Sequence, residues 1–334
     1  MIQIKQHQDN IKAYKIYLRA TAATREYLAT NGYLELELPV LSPVLIPESY
    51  LEIFETQYRF LDHKEPLYLA PSPELFMKRV LAYQKLNCFS LGKAFRNGET
   101  NSSRHAPEFT MLEFYKLGAD YLGIADELLH LMQHIAEQLF QSHSIVYQGK
   151  EISLKQWEQV SVTEAFERYA GIDSAELFDT KLFVQKAEKK GYTTAGFSYE
   201  DIFSQIYAQE IEPHLGKNGY PTLLYDYPKE FAALAKLNPD GKTAQRFEFY
   251  IDGIELGDCY TELTDWQEQQ ERFLSEQEKR KENGLIAHPT DEGFIAALQH
   301  GLPPCAGIAI GFERLAMIFA NVSSIHELKL IEVY

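Results

Sequence analysis

A long antiparallel hairpin is the feature of this sequence that most restricts its fold. Two segments with strand-like apolar patterns, FSLGKAFR and EFTMLEFYKL, flank a polar loop of residues 97–107. Other strand-like segments follow later in the chain: TLLYDYP, RFEFYIDG and IELGDCYTEL. They are mixed with helical stretches and form no regular series of strand–helix–strand units. The sequence therefore predicts an α+β fold with a mainly antiparallel sheet, and it argues against a doubly wound parallel fold.

Helical segments surround these strands. Apolar side chains recur at helical spacing from Ile11 to Asn31, and residues 121–215 are mostly helical in pattern. The segment YLELELPV alternates strictly until Pro39 removes a donor of the strand ladder, which predicts an edge or interface strand. No repeat or low-complexity linker divides the chain, so we expect one domain over residues 1–334.

The overall charge limits the classes of partner. Acidic side chains outnumber basic ones by 48 to 32, which gives a net charge of −16. Such a chain has no overall positive field to attract nucleic-acid phosphate, although local basic sites for a small phosphate stay open. The signatures GxGxxG and GxxxxGK[ST] are both missing, so a bound nucleotide would need another arrangement.

The sequence predicts a soluble protein of the cytoplasm. The first residues, MIQIKQHQDN, hold no apolar signal-peptide core, and no apolar run approaches the roughly 18 residues of a spanning helix. Cys88, Cys259 and Cys305 are far apart and lack CxxC spacing. Neither a disulfide framework nor a zinc site is therefore indicated.

A lone acid lies inside the second strand of the hairpin. Alternation along FTMLEFY puts Glu113 on one face with Phe109, Met111 and Tyr115. An ionised carboxylate among such bulky groups needs a cation beside it. The residues alone leave two sources open, an internal Lys or Arg and the ammonium group of a ligand.

Basic side chains border the loop of the same hairpin. Arg96 ends a strand whose same-face residues are small, and Arg104 and His105 precede the return strand. A planar guanidinium group suits a carboxylate or a phosphate. Each of these cations alone is typical of a solvated loop, but together they predict an anion site beside a cation pocket.

Four acids lie close together in RFEFYIDGIELGDCYTEL. Glu248 and Glu255 flank a tight Asp-Gly turn, and Asp258 and Glu262 follow. Acids on neighbouring strands repel each other unless cations intervene. An acidic surface explains one or two of them, whereas Mg²⁺ that carries nucleotide phosphates requires hard oxygen ligands of this type. Both interpretations stay open at the level of the residues.

Near the end of the chain, GIAIGFERL combines glycines with a cation. Gly307 and Gly311 would let a ligand approach the backbone, and Arg314 falls in the first turn of the next helix. Alone this is a weak signal of a binding site.

In combination these segments resemble the catalytic domain of class II aminoacyl-tRNA synthetases, in particular the lysyl enzyme. FRNGETNSSRHAPEFTMLEFY resembles the family's motif 2, AGIAIGFERL its motif 3 and NGYLELELPVLSP its motif 1. Similarity also runs, in the family's order, through APSPELFMKR, YPKEFAALAK and RFEFYIDGIELGDCYTELTD. The resemblance implies an antiparallel sheet flanked by helices, a homodimer formed through the region of Pro39, and an aminoacyl adenylate made from ATP.

The resemblance also implies roles for the charged clusters. Arg96 would bind the α-phosphate and the amino-acid carboxylate, while Phe109 and Arg314 would stack on adenine; Arg96 and Arg314 are the expected catalytic residues. Glu248 and Glu255 match the family's Mg²⁺-binding carboxylates, and Glu255 also belongs to its ATP site. The other positions that match the ATP site are Asn97, Gly98, Glu99, Arg104, His105, Ala106, Leu256 and Gly311.

For the amino acid, the resemblance implies a pocket lined by acids. Glu113, Tyr115 and Glu262 match the positions that hold the lysine side-chain ammonium, and Glu74 matches the contact to the backbone amine. The other positions that match this substrate pocket are Ser72, Pro73, Asp258, Tyr260 and Ala309.

Several positions depart from the family's pattern. Gly98 stands where glutamate is common, which leaves Glu99 as a substitute for the adenine contact. Asp258 replaces a usual asparagine near the substrate carboxylate, and Ala106 replaces the asparagine of HNPEF. Ala309 stands in place of a glycine and adds a methyl group to the pocket wall, which favours a displaced amine.

The opening helix begins at about residue 11, so we expect no anticodon-binding domain, and the acidic charge agrees with a lost role for tRNA. A lysyl-type catalytic domain that stands alone resembles the elongation factor P–(R)-β-lysine ligases. The resemblance implies ATP and Mg²⁺ as cofactors, lysine or (R)-β-lysine as substrate, elongation factor P as acceptor and no membrane partner. Two alternatives stay open, a minimal enzyme that passes lysine to tRNA or another acceptor, and a non-catalytic paralogue that binds lysine.

Overall fold

The computed structural model describes residues 4–98 and 102–333. The strands are β1 Ile4–Gln6, β2 Leu34–Glu35, β3 Leu41–Ser42, β4 Glu55–Phe60, β5 His63–Leu69, β6 Cys88–Phe95, β7 Glu108–Leu117, β8 Ser144–Tyr147, β9 Lys150–Ser153, β10 Glu158–Ser161, β11 Thr222–Pro228, β12 Thr243–Ile251, β13 Ile254–Thr261, β14 Cys305–Gly311 and β15 Ile331–Val333.

The α-helices are α1 Ile11–Thr30, α2 Glu74–Gln84, α3 Tyr121–Phe140, α4 Val162–Ala165, α5 Ser174–Leu177, α6 Thr180–Lys190, α7 Tyr199–Ile206, α8 Trp266–Glu282, α9 Glu292–Gly301 and α10 Phe312–Phe319. Two π-helical turns, Phe166–Ala170 and Tyr207–Ile211, directly follow α4 and α7. Three 3₁₀ turns are Glu212–His214, Lys229–Phe231 and Ile325–Leu328.

The centre of the fold is an eight-stranded sheet in the order β10-β11-β12-β13-β14-β7-β6-β2. The two outermost pairs, β10 with β11 and β2 with β6, are parallel, and the five pairs between them are antiparallel. Helices pack on this sheet, so the predicted α+β class with a mainly antiparallel sheet is confirmed.

The predicted hairpin is β6 and β7, which are paired from Cys88 with Tyr115 to Phe95 with Glu108. The strand predicted in YLELELPV is much shorter than its alternation suggests, because only Leu34–Glu35 pairs with the sheet. β2 has a single neighbour, β6, and the last backbone hydrogen bond of this pairing runs from the Leu36 amide to the Phe89 carbonyl oxygen, well before Pro39. Its position at the end of the sheet agrees with the predicted edge strand.

The main core lies on one face of the sheet. Apolar side chains that alternate with the polar ones along each strand, such as Leu112, Phe114 and Ile308, pack against α1, α3 and α10. Complete burial of a side chain of this size contributes about 1.5–3 kcal/mol. α2, α8 and α9 belong to a second apolar cluster that includes Tyr115, whose side chain points to the opposite face.

Residues 121–215 are less uniformly helical than the pattern predicts. α3 is capped by Asp120, whose carboxylate accepts a hydrogen bond from the Gly123 amide, and this helix is followed by the short strands β8, β9 and β10. Short helices follow and build a separate apolar cluster around Phe166, Phe183 and Phe203. Four-residue strands have too few alternating positions to stand out beside longer helical stretches.

Two predicted absences can be compared with the described residues. Cys88, Cys259 and Cys305 are buried free thiols. None of the described helices has the length and apolar character needed to cross a membrane.

Candidate active site

The face of the sheet opposite the main core carries several of the predicted site residues. Register pairs Glu113 of β7 with Ala309 of β14, Ala309 with Asp258 of β13, and Asp258 with Glu248 of β12. Ser90 of β6 lies opposite Glu113 on the other side. Since directly paired residues share a face, one row across five strands brings these acids together.

A second row runs beside the first and includes a glycine where the packing is tightest. It joins Tyr115, Gly307, Tyr260 and Arg246 across β7, β14, β13 and β12. A Cβ atom at Gly307 would lie 2.2 Å from the Tyr115 ring and 2.9 Å from Oε1 of Glu262. Only glycine lets both side chains lie over this strand.

Glu113 is buried, with 2% of its surface exposed. Its Oε1 accepts a hydrogen bond of 2.6 Å from the Tyr115 hydroxyl, and its Oε2 accepts one of 2.9 Å from the Ser72 hydroxyl. Burial raises the pKa of this carboxyl, Glu74 raises it further, and the two hydroxyl donors and Lys78 oppose the rise. An ammonium group placed here would find an acceptor with fixed orientation and little competing water.

Lys78 joins two other predicted acids. Its Nζ lies 2.5 Å from Oε1 of Glu74, one turn earlier in α2, and 2.5 Å from Oε2 of Glu262, which follows β13. Burial raises the pKa of Glu262, Glu74 adds to the rise, and Lys78 opposes it. Lys78 is thus an internal cation of the kind considered as a partner for Glu113. Its short ion pairs, however, are with Glu74 and Glu262.

Arg246 is the cation that pairs with two further acids, Asp258 and Glu248. Its Nε donates to Oδ1 of Asp258 at 3.0 Å, and its Nη2 donates to Oε1 of Glu248 at 2.7 Å. The Tyr260 hydroxyl donates to the other oxygen of Asp258. Burial raises the pKa of Asp258, Arg246 opposes the rise, and Glu248 adds to it. The extra acid at position 258 is thus turned toward a guanidinium group and a phenol.

The cations of the hairpin lie at the loop end of the site. The Arg96 guanidinium carbon is 5.4 Å from the centre of the Phe109 ring, which is a cation–π distance. Among the described residues, the buried Nε of Arg96 has no hydrogen-bond partner. An unpaired guanidinium donor of this kind is suited to an anionic oxygen.

Arg314 connects the loop to the turn between β12 and β13. Its Nε donates to the carbonyl oxygen of Arg104 at 3.2 Å, and its Nη1 donates to the carbonyl oxygen of Glu255 at 2.9 Å. The Glu255 carboxylate is 3.6 Å from the same nitrogen. Arg104 itself donates to the Gly253 carbonyl oxygen at 3.3 Å, and His105 is within 3.0 Å of the Ser102 hydroxyl.

The carboxylates predicted to bind Mg²⁺ form no self-sufficient metal centre. Over residues 4–98 and 102–333, no group of three or more His, Cys, Asp or Glu side chains could hold a metal ion. Glu248 accepts hydrogen bonds from Arg246, Tyr207 and Tyr250, while Glu255 keeps 41% of its side chain exposed. A Mg²⁺ ion that nucleotide phosphates also bind needs only one or two carboxylates from the protein. Glu248 and Glu255 could supply these.

Some predicted residues lie elsewhere or contribute backbone alone. The side chains of Ala106 and Leu256 are packed in the main core, so only their backbone atoms can face a nucleotide. A bulge in the pairing of β12 with β13 turns Glu255 to the site face while Leu256 stays in the core. Glu99 lies outside the described residues.

The remaining predicted positions lie next to the ends of strands and helices that carry the site. Asn97 donates its side-chain amide to the Ile53 carbonyl oxygen at 3.3 Å, and Gly98 has a φ of 75°, which favours glycine. Pro73 precedes the first residue of α2, which is Glu74. Gly311 precedes α10 and leaves 3.6 Å between a virtual Cβ and Nε of Arg314.

Three polar residues of the site were not found from the sequence. Lys78 lies four residues after Glu74, a spacing that places both on one side of a helix. The sequence therefore does indicate this ion pair. Arg246 lies two residues before Glu248 on β12, so strand alternation predicts that both side chains share one face of the sheet. Tyr207 donates to Glu248 from a π-helical turn, for which the sequence offers no period.

Comparison with known proteins identifies a family whose model matches nearly the full length of the chain. The model of the family described as tRNA synthetases class II (D, K and N) matches residues 2–331. A lysine–tRNA ligase of Carboxydothermus hydrogenoformans is 36% identical over 314 residues, which are 92% of this chain and 62% of that protein. The corresponding ligase of Bacillus subtilis is 35% identical over 319 residues, with 92% and 61% covered.

A second group of relatives has a different printed activity. An elongation factor P–(R)-β-lysine ligase of Klebsiella pneumoniae is 35% identical over 312 residues, which are 92% of this chain and 90% of that protein. The chain thus spans less than two thirds of the length of the lysine–tRNA ligases. Identity is nearly equal for the two groups, so it does not distinguish between their acceptors.

Proposed function

The chain belongs to tRNA synthetases class II (D, K and N), and on that basis we propose that it is a ligase that activates a lysine-type amino acid with ATP. The product of the first step is an aminoacyl adenylate, and the acyl group then passes to the ε-amine of a lysine in elongation factor P. (R)-β-Lysine is the proposed donor, with lysine as the other candidate.

The observation that carries this proposal is the pairing of a buried acid pocket with an unpaired guanidinium donor. Glu113 and Glu262 are each 2% exposed and lie on the site face of the sheet. Arg96 directly follows β6, and within residues 4–98 and 102–333 its Nε has no hydrogen-bond partner, which leaves it suited to an anion. A lysine molecule has the complementary charges, since its ammonium groups suit the acids and its carboxylate suits the guanidinium.

The residues support adenylate formation mainly by position and charge. An oxygen of the substrate carboxylate bonds to the α-phosphorus, the bond to the β-phosphate oxygen breaks, and pyrophosphate leaves. Arg96 and Arg314 stabilise the negative charge that is spread over the phosphate oxygens. Mg²⁺, held by Glu255 and Glu248 together with the phosphates, would add charge neutralisation and orientation. The adenine ring would lie between Phe109 and Arg314.

The transfer step needs an amine that has lost its proton. The nitrogen of the acceptor lysine bonds to the carbonyl carbon of the adenylate, the bond from that carbon to the phosphate oxygen breaks, and AMP leaves. The amine proton goes to solvent or base. An amide of the isopeptide type is the product.

One observation favours elongation factor P over tRNA as the acceptor. The net charge of −16 disfavours broad contact with a polyanion. The lysine–tRNA relatives nevertheless keep a tRNA acceptor as the second candidate.

Further proposals concern the location of the enzyme, its domain organisation and its oligomeric state. We place the enzyme in the cytoplasm and treat residues 1–334 as a single catalytic domain. The homodimer would form along the segment around Pro39, where Leu34 and Leu41 are exposed apolar side chains. A non-catalytic paralogue that binds lysine is less well supported, because simple binding of lysine requires neither Arg314 nor metal carboxylates.

Intact-mass spectrometry of unmodified elongation factor P tests the proposal. The factor is incubated with the protein, ATP, Mg²⁺ and either L-lysine or (R)-β-lysine, and a parallel reaction contains deacylated lysine tRNA. We expect a gain of one lysyl mass on the factor, larger with (R)-β-lysine, and no gain when its acceptor lysine is replaced by arginine. Acylated tRNA without modified factor would establish the second candidate, and the absence of pyrophosphate release with both amino acids would overturn the ligase proposal.

A further inference from the structure

Lys78 is a charged side chain of the pocket for which the proposed reaction has no use. It is 2% exposed and lies among apolar residues of α2. Its ammonium nitrogen is 2.5 Å from one oxygen of Glu74 and 2.5 Å from one oxygen of Glu262. A buried ammonium is costly unless it is paired, so these two carboxylates are its stabilising partners.

Among the described residues, the pocket holds more acids than cations. Three acids, Glu74, Glu113 and Glu262, face one internal cation, Lys78, so full ionisation would leave two negative charges uncompensated. An amino acid with two ammonium groups supplies two positive charges. An amino acid with one ammonium group would leave a buried carboxylate without a counter-ion.

We propose that Lys78 is a positioning residue that holds the carboxylates of Glu74 and Glu262 beside each other, so that the pocket selects amino acids with two amines. This inference rests on the proposed function, in which the pocket takes a lysine-type substrate. Lys78 acts through the two carboxylates and does not contact the reacting atoms. It is therefore a determinant of specificity rather than a catalytic residue.

The charged surroundings determine what the loss of Lys78 would do. Burial raises the pKa of Glu262, and Lys78 is the strongest opposing influence. The other titratable groups with a recorded electrostatic interaction with these acids or Lys78 are Glu48, Cys88, Tyr115, Asp258, Cys259 and Cys305. None of them is a cation at neutral pH, so removal of Lys78 would raise the pKa of Glu262 further.

The first test measures ATP–pyrophosphate exchange with L-lysine and (R)-β-lysine for the wild-type protein and the Lys78→Met, Lys78→Arg and Lys116→Met variants. Lys116 is the matched control, since its ammonium also lies 2.5 Å from one carboxylate, that of Glu127 on α3. For Lys78→Met we expect KM for the amino acid to rise about tenfold or more at neutral pH, with kcat little changed. The rise should shrink at higher pH, where Glu262 ionises again, and Lys78→Arg should recover part of the affinity.

A second test needs no substrate. Infrared spectra of the folded proteins, recorded from about pH 6 to about pH 9, report the protonated carboxyl groups, and Lys78→Met should retain them to higher pH than the wild type and Lys116→Met. An unchanged carboxyl titration in a folded Lys78→Met protein overturns the inference, as does an unchanged KM in an active one. If the wild type exchanges neither amino acid, the proposed function fails, and the infrared result decides the ionisation role separately.

Discussion

Gly307 of β14 lies so close to Tyr115 of β7 that a Cβ atom at position 307 would be 2.2 Å from the tyrosine ring. The two residues are register partners, and the Tyr115 hydroxyl donates a hydrogen bond of 2.6 Å to Glu113. The absence of a side chain at position 307 therefore controls the orientation of the phenol. Through that phenol it controls one hydrogen bond of the buried acid.

We expect Gly307→Ala to weaken amino-acid binding more than ATP binding. The added methyl group must displace the Tyr115 ring or Oε1 of Glu262, and overpacking of this kind costs about 1–3 kcal/mol. KM for lysine in ATP–pyrophosphate exchange should rise by about tenfold, whereas KM for ATP should stay close to that of the wild type.

Gly92→Ala is the matched control for this variant. Gly92 lies on the same face of the sheet, in β6, but the atom nearest to its virtual Cβ is the Ser90 hydroxyl at 3.8 Å. The methyl group fits there without displacement, so its KM should be unchanged. Equal KM values for the two alanine variants would show that the Tyr115 orientation does not matter for binding.

The sequence was sufficient for the parts of the site that depend on local periodicity. Alternation along β7 places Glu113 and Tyr115 on one face, and the tight turn after β12 brings Glu255 near the neighbouring strand. The pairing of Lys78 with Glu262 joins positions 184 residues apart, which can be known only once α2 is docked on the sheet. The orientation of Asp258 toward Arg246 likewise depends on the register of β12 with β13.

The burial of Glu113 should make stability depend on pH. Burial raises the pKa of this carboxyl in the folded protein to about 8, above its ordinary value of 4.5. The folded state therefore binds the proton more tightly, and stability falls as pH rises from the lower value toward the higher one. Glu113→Gln carries no ionisable proton and escapes this loss.

Urea unfolding of the wild type and Glu113→Gln at several pH values measures the difference. Relative to the wild type, the variant should gain stability on the order of 4 kcal/mol between about pH 5 and about pH 9. The same variant should lose affinity for lysine, because it no longer offers a carboxylate. A difference in unfolding free energy that is independent of pH would mean that Glu113 ionises normally in the folded protein.

Arg314 should contribute to nucleotide binding. Its Nε and Nη1 contact the backbone of Arg104 and Glu255, so the guanidinium group is held at the junction of the loop and the β12–β13 turn. Arg314→Ala should lower kcat/KM for ATP in the exchange reaction by about a hundredfold, as expected when a charged stabiliser of phosphate is lost. Arg168→Ala, on the helical region, serves as the control and should behave as the wild type. Full adenylate formation by Arg314→Ala would remove this residue from the mechanism.

Glu248 is the residue for which the structure offers two different roles. As a metal carboxylate, it should determine how much Mg²⁺ the exchange reaction requires, and Glu248→Gln should raise the half-saturating Mg²⁺ concentration by about tenfold. As a partner of Arg246, Tyr207 and Tyr250 it would stabilise the fold instead. Glu158→Gln is the control, because Glu158 also accepts hydrogen bonds, from Asn218 and Thr222, but lies on β10 at the far end of the sheet. A lower melting temperature with an unchanged Mg²⁺ requirement would assign Glu248 to the fold and leave Glu255 as the metal-binding carboxylate.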